Sequence, residues 1–253
     1  MRRRVGSAVL RIVGSADADL FIRPSRNLVV RSHLVGLMRF ASREDAGRQL
    51  GERLRRSGAG VDLVLGLPRG GVVVAAEVAR QLQCPLDALI VRKIGHPWHR
   101  EFAVGALAEP DVVILDEASV GKNPAVRHQL DEVIQEETAR LRDYCERFHT
   151  VPRPVLEGKT VLLVDDGLAT GATAEAAILS AKRQKARKII VATPVASTNA
   201  VDRLTPLADD VLALVVDPDF GAVGQYYVEF EETTDEEVLG LLRQQAGSGP
   251  TPQ

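Results

Sequence analysis

Short apolar runs alternate along this chain with longer segments whose apolar residues recur at helical spacing, and that alternation most narrows the folds open to it. The runs are Asp62–Leu67, Leu86–Val91, Val112–Leu115, Thr160–Val164, Lys188–Thr193 and Val211–Val216. Strands that are apolar on both faces need cover on both sides, and strands joined through helices pair in parallel. Helices are predicted over Ser42–Arg56, Val72–Leu82, Ala125–His149, Ala172–Lys185 and Thr198–Leu204, and from Thr234 to about Gln244. Ser42 reads as an N-cap before an acidic first turn, with Ala46, Leu50 and Leu54 on one face. Thr234-Asp-Glu-Glu237 reads as a capping box. Within the long Ala125–His149 helix, Val126, Leu130, Val133, Ile134, Leu141, Tyr144 and Phe148 form a packing stripe. The expectation is an α/β fold, a parallel sheet with helices on both faces. Right-handed crossovers then gather the loops after the strands at one edge, where ligands bind. Three unusual loops, 68–71, 92–109 and 165–173, each follow a predicted strand.

The bulk properties exclude several classes. A chain of 253 residues suits one large domain with small additions, and its core needs no disulfide or metal staple. The formal net charge of −2 gives no global case for nucleic acid or an anionic membrane as partner. No apolar run approaches the ~18 residues needed to span a bilayer. The opening Met1-Arg-Arg-Arg resembles a signal-peptide start, but Arg11, Asp17 and Asp19 interrupt the apolar stretch behind it, so a cytoplasmic location is expected. Cys84 and Cys145 lack CxxC or Cys/His spacing and read as free thiols in a reducing compartment. Residues 1–37 carry seven arginines against two aspartates, a local excess of +5, with short β-like pieces at Ala8–Val13 and Leu28–Val30. They read as a basic N-terminal extension, and Met38 opens a segment that reads as a fresh domain start. Residues 246–253, rich in Gly and Pro, read as a flexible tail.

The most informative segment is Val161-Leu-Leu-Val-Asp165-Asp166-Gly167-Leu168-Ala169-Thr170-Gly171-Ala172-Thr173. An apolar strand delivers two carboxylates to the sheet edge, and the chain turns through small residues into a helix. The helix start offers unpaired N–H groups and a positive dipole end, suited to a phosphate. Gly171 and Ala172 allow close approach, and Thr170 and Thr173 add hydroxyl donors. Asp165 and Asp166 repel phosphate but accept from two vicinal hydroxyls, which can in turn hold a hydrated Mg²⁺. The Gly-x-x-x-x-Gly-Lys-Ser/Thr phosphate loop is absent.

This pattern of four apolar residues, two acids, two variable residues, a small residue and Thr-Gly-x-Thr resembles the 5-phosphoribosyl-1-diphosphate (PRPP) motif of type I phosphoribosyltransferases. The resemblance follows the element order over residues 38–245 and is nearest to a poorly defined bacterial branch. It implies that family's parallel-sheet core with a small helical hood, a long helical insert at about 118–150, and a homo-oligomer such as a dimer. Carried over by position, Asp165 and Asp166 hold the ribose hydroxyls and, mostly through them and water, Mg²⁺. Gly167 and Leu168 belong to the same PRPP loop, and Ala169 to Thr173 hold the 5-phosphate. The Leu67-Pro68-Arg69-Gly70-Gly71 stretch resembles the family's diphosphate loop, sometimes built with a cis non-proline peptide. Arg69 can make fork-shaped contacts there, and the glycines let backbone N–H groups turn inward. Val91-Arg92-Lys93-Ile-Gly-His96-Pro-Trp98-His99-Arg100-Glu101 resembles the family's mobile catalytic loop, with Arg92 and Lys93 neutralising the leaving diphosphate. His96 and His99 read as solvated, and Trp98 as a cap over the site or a packing residue. Phe220, with Val223 beside it, is the candidate for stacking on a base, and core packing of Phe220, Tyr226 and Tyr227 is the equal alternative.

Two departures bear on the acceptor. The 6-oxopurine enzymes place an Asp where this chain has Ala169, and a Lys on a strand where Ile189–Ser197 has none. Ala169 is closer to the adenine-type motif. The resemblance thus implies transfer of phosphoribose from Mg·PRPP to a nitrogen acceptor such as a nucleobase, with Arg69, Lys93, Asp165 and Asp166 as the catalytic set. The alternative is a PRPP- or nucleotide-sensing protein that keeps the site without the chemistry.

Overall fold

The computed structural model describes residues 39–120, 124–149 and 153–246. The basic extension at 1–37 and nearly all of the tail lie outside the described residues.

Five parallel strands form the main sheet in the order β2-β1-β6-β7-β8. They are β1 (Leu63–Gly66), β2 (Leu86–Ala88), β6 (Thr160–Val164), β7 (Lys188–Ser197) and β8 (Asp210–Asp217). Successive side chains point to opposite faces, so each strand feeds two cores. On one face Leu63, Leu65, Val161, Leu163, Ile189 and Val191 pack against α5 (Ala172–Arg183) and α6 (Thr198–Leu204). On the other, Val64, Leu162, Val164, Ile190 and Leu212 pack against α1 (Arg43–Ser57) and α2 (Gly70–Leu82). The expected two-sided cover is therefore present.

Local signals set the helix starts as read at Ser42 and Thr234. Ser42 Oγ accepts from the Asp45 N–H, and Gly58 closes α1 in the left-handed region at φ 67°. Before α7 (Asp235–Ala246), Thr234 Oγ1 accepts the Glu237 N–H at 3.2 Å while Glu237 Oε2 accepts the Thr234 N–H at 2.7 Å.

Two expectations are corrected. Leu86–Val91 is not one strand: β2 ends at Ala88, and Val91 opens β3 (Val91–His96) in a different sheet. The 92–109 stretch is not a loop: β3 and β4 (His99–Ala108) form an antiparallel hairpin, extended by β5 (Val112–Leu115). The Gly and charged residues that suggested a loop are spaced along an alternating ribbon. Ile94 and Leu107 pack under α4 (Pro124–Phe148), while Ala106 and Ala108 meet Ala176 of α5. The predicted α4 stripe holds: Val126, Leu130, Val133, Leu141 and Phe148 are buried. A short helix, α3 (Glu117–Val120), precedes it. Among the described residues, no helix is long and apolar enough to cross a membrane.

Candidate active site

The register of the central strands brings the first and third loops together. Gly66 pairs with Val164, so β1 and β6 end level, and the Leu67 N–H donates to the Val164 carbonyl at 2.9 Å. Pro68-Arg69-Gly70-Gly71 and Asp165-Asp166 then leave the sheet side by side. The peptide between Pro68 and Arg69 is cis. A Cβ on Gly71 would stand 2.9 Å from Asp165 Cα and 2.9 Å from the Val164 carbonyl oxygen. One on Gly70 would fall 2.1 Å from Asp166 Oδ2. Glycine at both positions is what lets the two loops touch.

Beyond the acids, Gly167 faces Val223, whose methyl carbon would lie 2.5 Å from an added Cβ. Leu168 is buried and bridges in parallel to Ala196 of β7, and the Ala169 carbonyl accepts the Ser197 hydroxyl at 2.5 Å. Gly171 then turns through φ 74° into α5, with Ala200 only 3.4 Å from where a Cβ would stand. Thr170 is exposed, and its Oγ1 lies 3.4 Å from the Ala172 nitrogen. Thr173 is half-buried in the first turn of α5. The dipole end of a twelve-residue helix thus opens at the same edge as the two carboxylates.

Asp165 is the electrostatic centre. Burial, with the neighbouring Asp166 carboxylate, holds its carboxyl well above the usual carboxylate range, while the Asp166 N–H and the Lys93 ammonium pull the other way. Lys93 is exposed on β3 and close enough to act on this acid. Asp166 is held differently. The Arg43 guanidinium donates from Nε to Asp166 Oδ2 at 2.8 Å, lies 3.9 Å over the Phe230 ring, and donates to the Glu231 carbonyl at 2.7 Å. Tyr227 Oη donates to the Asp166 carbonyl at 2.6 Å. Backbone pairing brings these groups in: the Phe40 N–H donates to the Tyr226 carbonyl at 2.8 Å and the Val228 N–H to the Phe40 carbonyl at 2.8 Å.

Not every residue singled out from sequence faces the acid pair. Arg69 is bound to Glu232 and lies 3.8 Å from Asp235. Arg92 points to the opposite face of β3 from Lys93, where Nε donates to Glu137 Oε2 at 2.6 Å and its guanidinium lies 5.2 Å from the Tyr144 ring centre. Phe220 stacks on Tyr226 at 5.2 Å between centroids, and Tyr226 in turn donates to Asp217 Oδ2 at 2.6 Å. His96 and His99 stack on each other at 5.8 Å near the hairpin turn, beside an exposed Trp98 that donates to Gln129.

Sequence reasoning missed Arg43, Tyr227 and Phe230, because their partners lie far away in the chain. It also read Cys145 as lacking His spacing. That is corrected: Cys145 and His149 are one helical turn apart, and both reach Glu109. The four-residue interval in the sequence was the available signal.

Comparison with known proteins agrees with this architecture. The phosphoribosyl transferase domain family matches residues 40–231. Curated relatives from two strains of Mycobacterium tuberculosis, each named "Putative phosphoribosyl transferase", are 43% identical over 204 residues, covering 80% of this chain and 46% of the relative. The chain therefore spans about half the length of the curated relatives it matches. The solved structure of TT1426 from Thermus thermophilus is 44% identical, covers 82% of this chain and 99% of that one, and superposes with a TM-score of 0.70. With its family match over most of the described residues, and a fold that carries the two acids and the glycine loop at one sheet edge, the chain belongs to the phosphoribosyl transferase domain family.

Proposed function

We propose that the protein transfers phosphoribose from Mg·PRPP to a nitrogen acceptor, with release of diphosphate. The observation that carries this reading is the contact of the Gly70-Gly71 loop with Asp165 and Asp166 at the open start of α5. That edge offers backbone donors for phosphate on one side and carboxylate acceptors for a cis-diol on the other. The donor set suits Mg²⁺, which takes oxygen ligands and keeps several waters. Bound there, the ion would neutralise diphosphate charge. Asp165 and Asp166 would orient the ribose, the 169–173 turn would seat the 5-phosphate, and Lys93 would stabilise the departing diphosphate. Arg69, Arg92, Phe220 and Val223 remain candidates for diphosphate and base contact, provided Arg69 and Arg92 leave their carboxylate partners.

That proviso supports a second reading. With Arg69 held by Glu232 and Arg92 by Glu137, the site keeps its ribose and phosphate parts while two diphosphate cations are engaged elsewhere. A PRPP-sensing protein would show that arrangement in the bound state too. The test is diphosphate release from Mg·PRPP across a panel of nucleobases. Release with one base, lost in Asp165→Asn/Asp166→Asn, supports transfer. Binding of PRPP without release from any base supports sensing.

A further inference from the structure

Away from the acid pair, a second buried cluster joins three elements. Glu109 follows β4 and is 2% exposed. Cys145 and His149 sit at the C-terminal end of α4, where the His149 N–H donates to the Cys145 carbonyl at 2.9 Å. Glu109 Oε2 lies 3.0 Å from Cys145 Sγ and 2.9 Å from His149 Nε2. One ligand atom from each of the three residues lies within 4.8 Å of the other two. Behind the imidazole, Asp87 Oδ1 is 3.7 Å from His149 Nδ1, and that nitrogen is buried without a hydrogen-bond partner. An ion pair of His149 with Glu109 explains part of this. It does not explain why a thiol converges on the same oxygen, nor why Nδ1 faces a carboxylate from just beyond hydrogen-bonding distance.

We propose that Glu109, Cys145 and His149 form a zinc-binding site, with Asp87 as the carboxylate that orients His149. A thiolate, an imidazole and a carboxylate together select zinc over magnesium or calcium, which favour oxygen alone. Residues four apart on a helix share one face, so Cys145 and His149 present their ligand atoms together. A carboxylate behind the ligating imidazole is the usual outer partner, fixing its tautomer and orientation. Three protein ligands leave the fourth position of a tetrahedral ion to water. Binding releases the thiol proton of Cys145 and the proton held between His149 Nε2 and Glu109. Glu109 Oε1 keeps the Ile90 N–H, which it accepts at 2.7 Å. The opposing group is Arg153, whose Nη1 lies 2.9 Å from the same Oε2. Its side chain is 31% exposed while its Nε is buried, so the guanidinium and the metal compete for one oxygen. The ion would pin the end of α4 to the end of β4 and to β2, beneath the hairpin that carries Lys93.

The test uses the full chain, reduced and stripped with a chelator, titrated with Co²⁺ and then Zn²⁺. The expected result is one equivalent of Co²⁺ per chain with a thiolate-to-cobalt charge-transfer band, displaced by Zn²⁺. Cys145→Ser abolishes the band and Cys84→Ser keeps it. Asp87→Asn weakens binding by about 10–100-fold, and Arg153→Gln tightens it. Zn²⁺ raises the melting temperature of wild type but not of Cys145→Ser. If Cys145→Ser fails to fold, the wild-type band and its survival in Cys84→Ser carry the test alone. A folded wild type without the band overturns the proposal, as does a band that survives Cys145→Ser or disappears in Cys84→Ser.

Discussion

Replacing Gly71 by alanine tests the contact between the two loops most sharply. The added Cβ would meet Asp165 Cα and the Val164 carbonyl oxygen at 2.9 Å, where ordinary contact begins at 3.4 Å. Both atoms are backbone, so no side chain can swing aside, and the loops must separate by about half an ångström. Overpacking of this kind costs about 1–3 kcal/mol. For a chain of this size that lowers Tm by roughly 2–4 °C per kcal/mol. Separating the loops also draws a Gly70–Gly71 backbone N–H away from the bound diphosphate, and losing one hydrogen bond to a charged group, worth about 1.5 kcal/mol, predicts roughly a tenfold loss in Mg·PRPP affinity. The assay pairs thermal melts with calorimetric titration of Mg·PRPP. Gly240→Ala serves as control: Gly240 lies inside α7 with nothing within 4 Å of an added Cβ, and alanine there should stabilise by about 0.5–1 kcal/mol without touching affinity. A Gly71→Ala protein that melts and binds like wild type would refute the claim that this glycine sets the loop spacing.

Three further outcomes rest on the same geometry. Asp165→Asn should raise Tm at neutral pH while eliminating Mg·PRPP binding, because it removes a carboxyl held well above its ordinary range. Since the folded state holds that proton more tightly than the unfolded state, its stability falls as pH rises from the unfolded value of 3.8 through the raised one. The melting advantage of Asp165→Asn should therefore widen with pH, and an advantage that narrows contradicts the reasoning. Arg43→Met should lose about 1.5–3 kcal/mol, since it breaks a charge-assisted hydrogen bond whose side chains are only 12% and 16% exposed; unchanged melting would count against it. Thr234→Ala should cost about 1 kcal/mol by removing the cap of α7 without altering PRPP binding, read by denaturant unfolding.

Much of the fold was legible because its signals are local. Thr160–Val164 and Thr198–Leu204 form with the bounds their sequence predicts, and the caps at Ser42 and Thr234 act as read. The acid pair and the turn into α5 were legible for the same reason, as one continuous segment holds them. What escaped was non-local. Nothing near Val91 says that it leaves the parallel sheet, since strand partners are chosen by distant residues. The β3–β4 hairpin carries Gly95 and several charges, which local rules assign to a loop, yet burial of Ile94 and Leu107 under α4 holds it extended. Arg43 meets Asp166 across 123 positions, and Glu109 meets His149 across 40. No spacing rule reaches that far. The departures of Arg69 and Arg92 from the acid pair have a related cause: Glu232 and Glu137 offer each a carboxylate that the sequence could not place.

The most direct measurement is calorimetric titration of the wild-type chain with Mg·PRPP beside Asp165→Asn/Asp166→Asn. The expected result is saturable binding of one PRPP per chain, dependent on Mg²⁺ and absent in the double variant. A folded wild type that binds no PRPP, or a double variant that binds as well as wild type, would contradict the assignment of the 165–173 loop as a ribose-phosphate site.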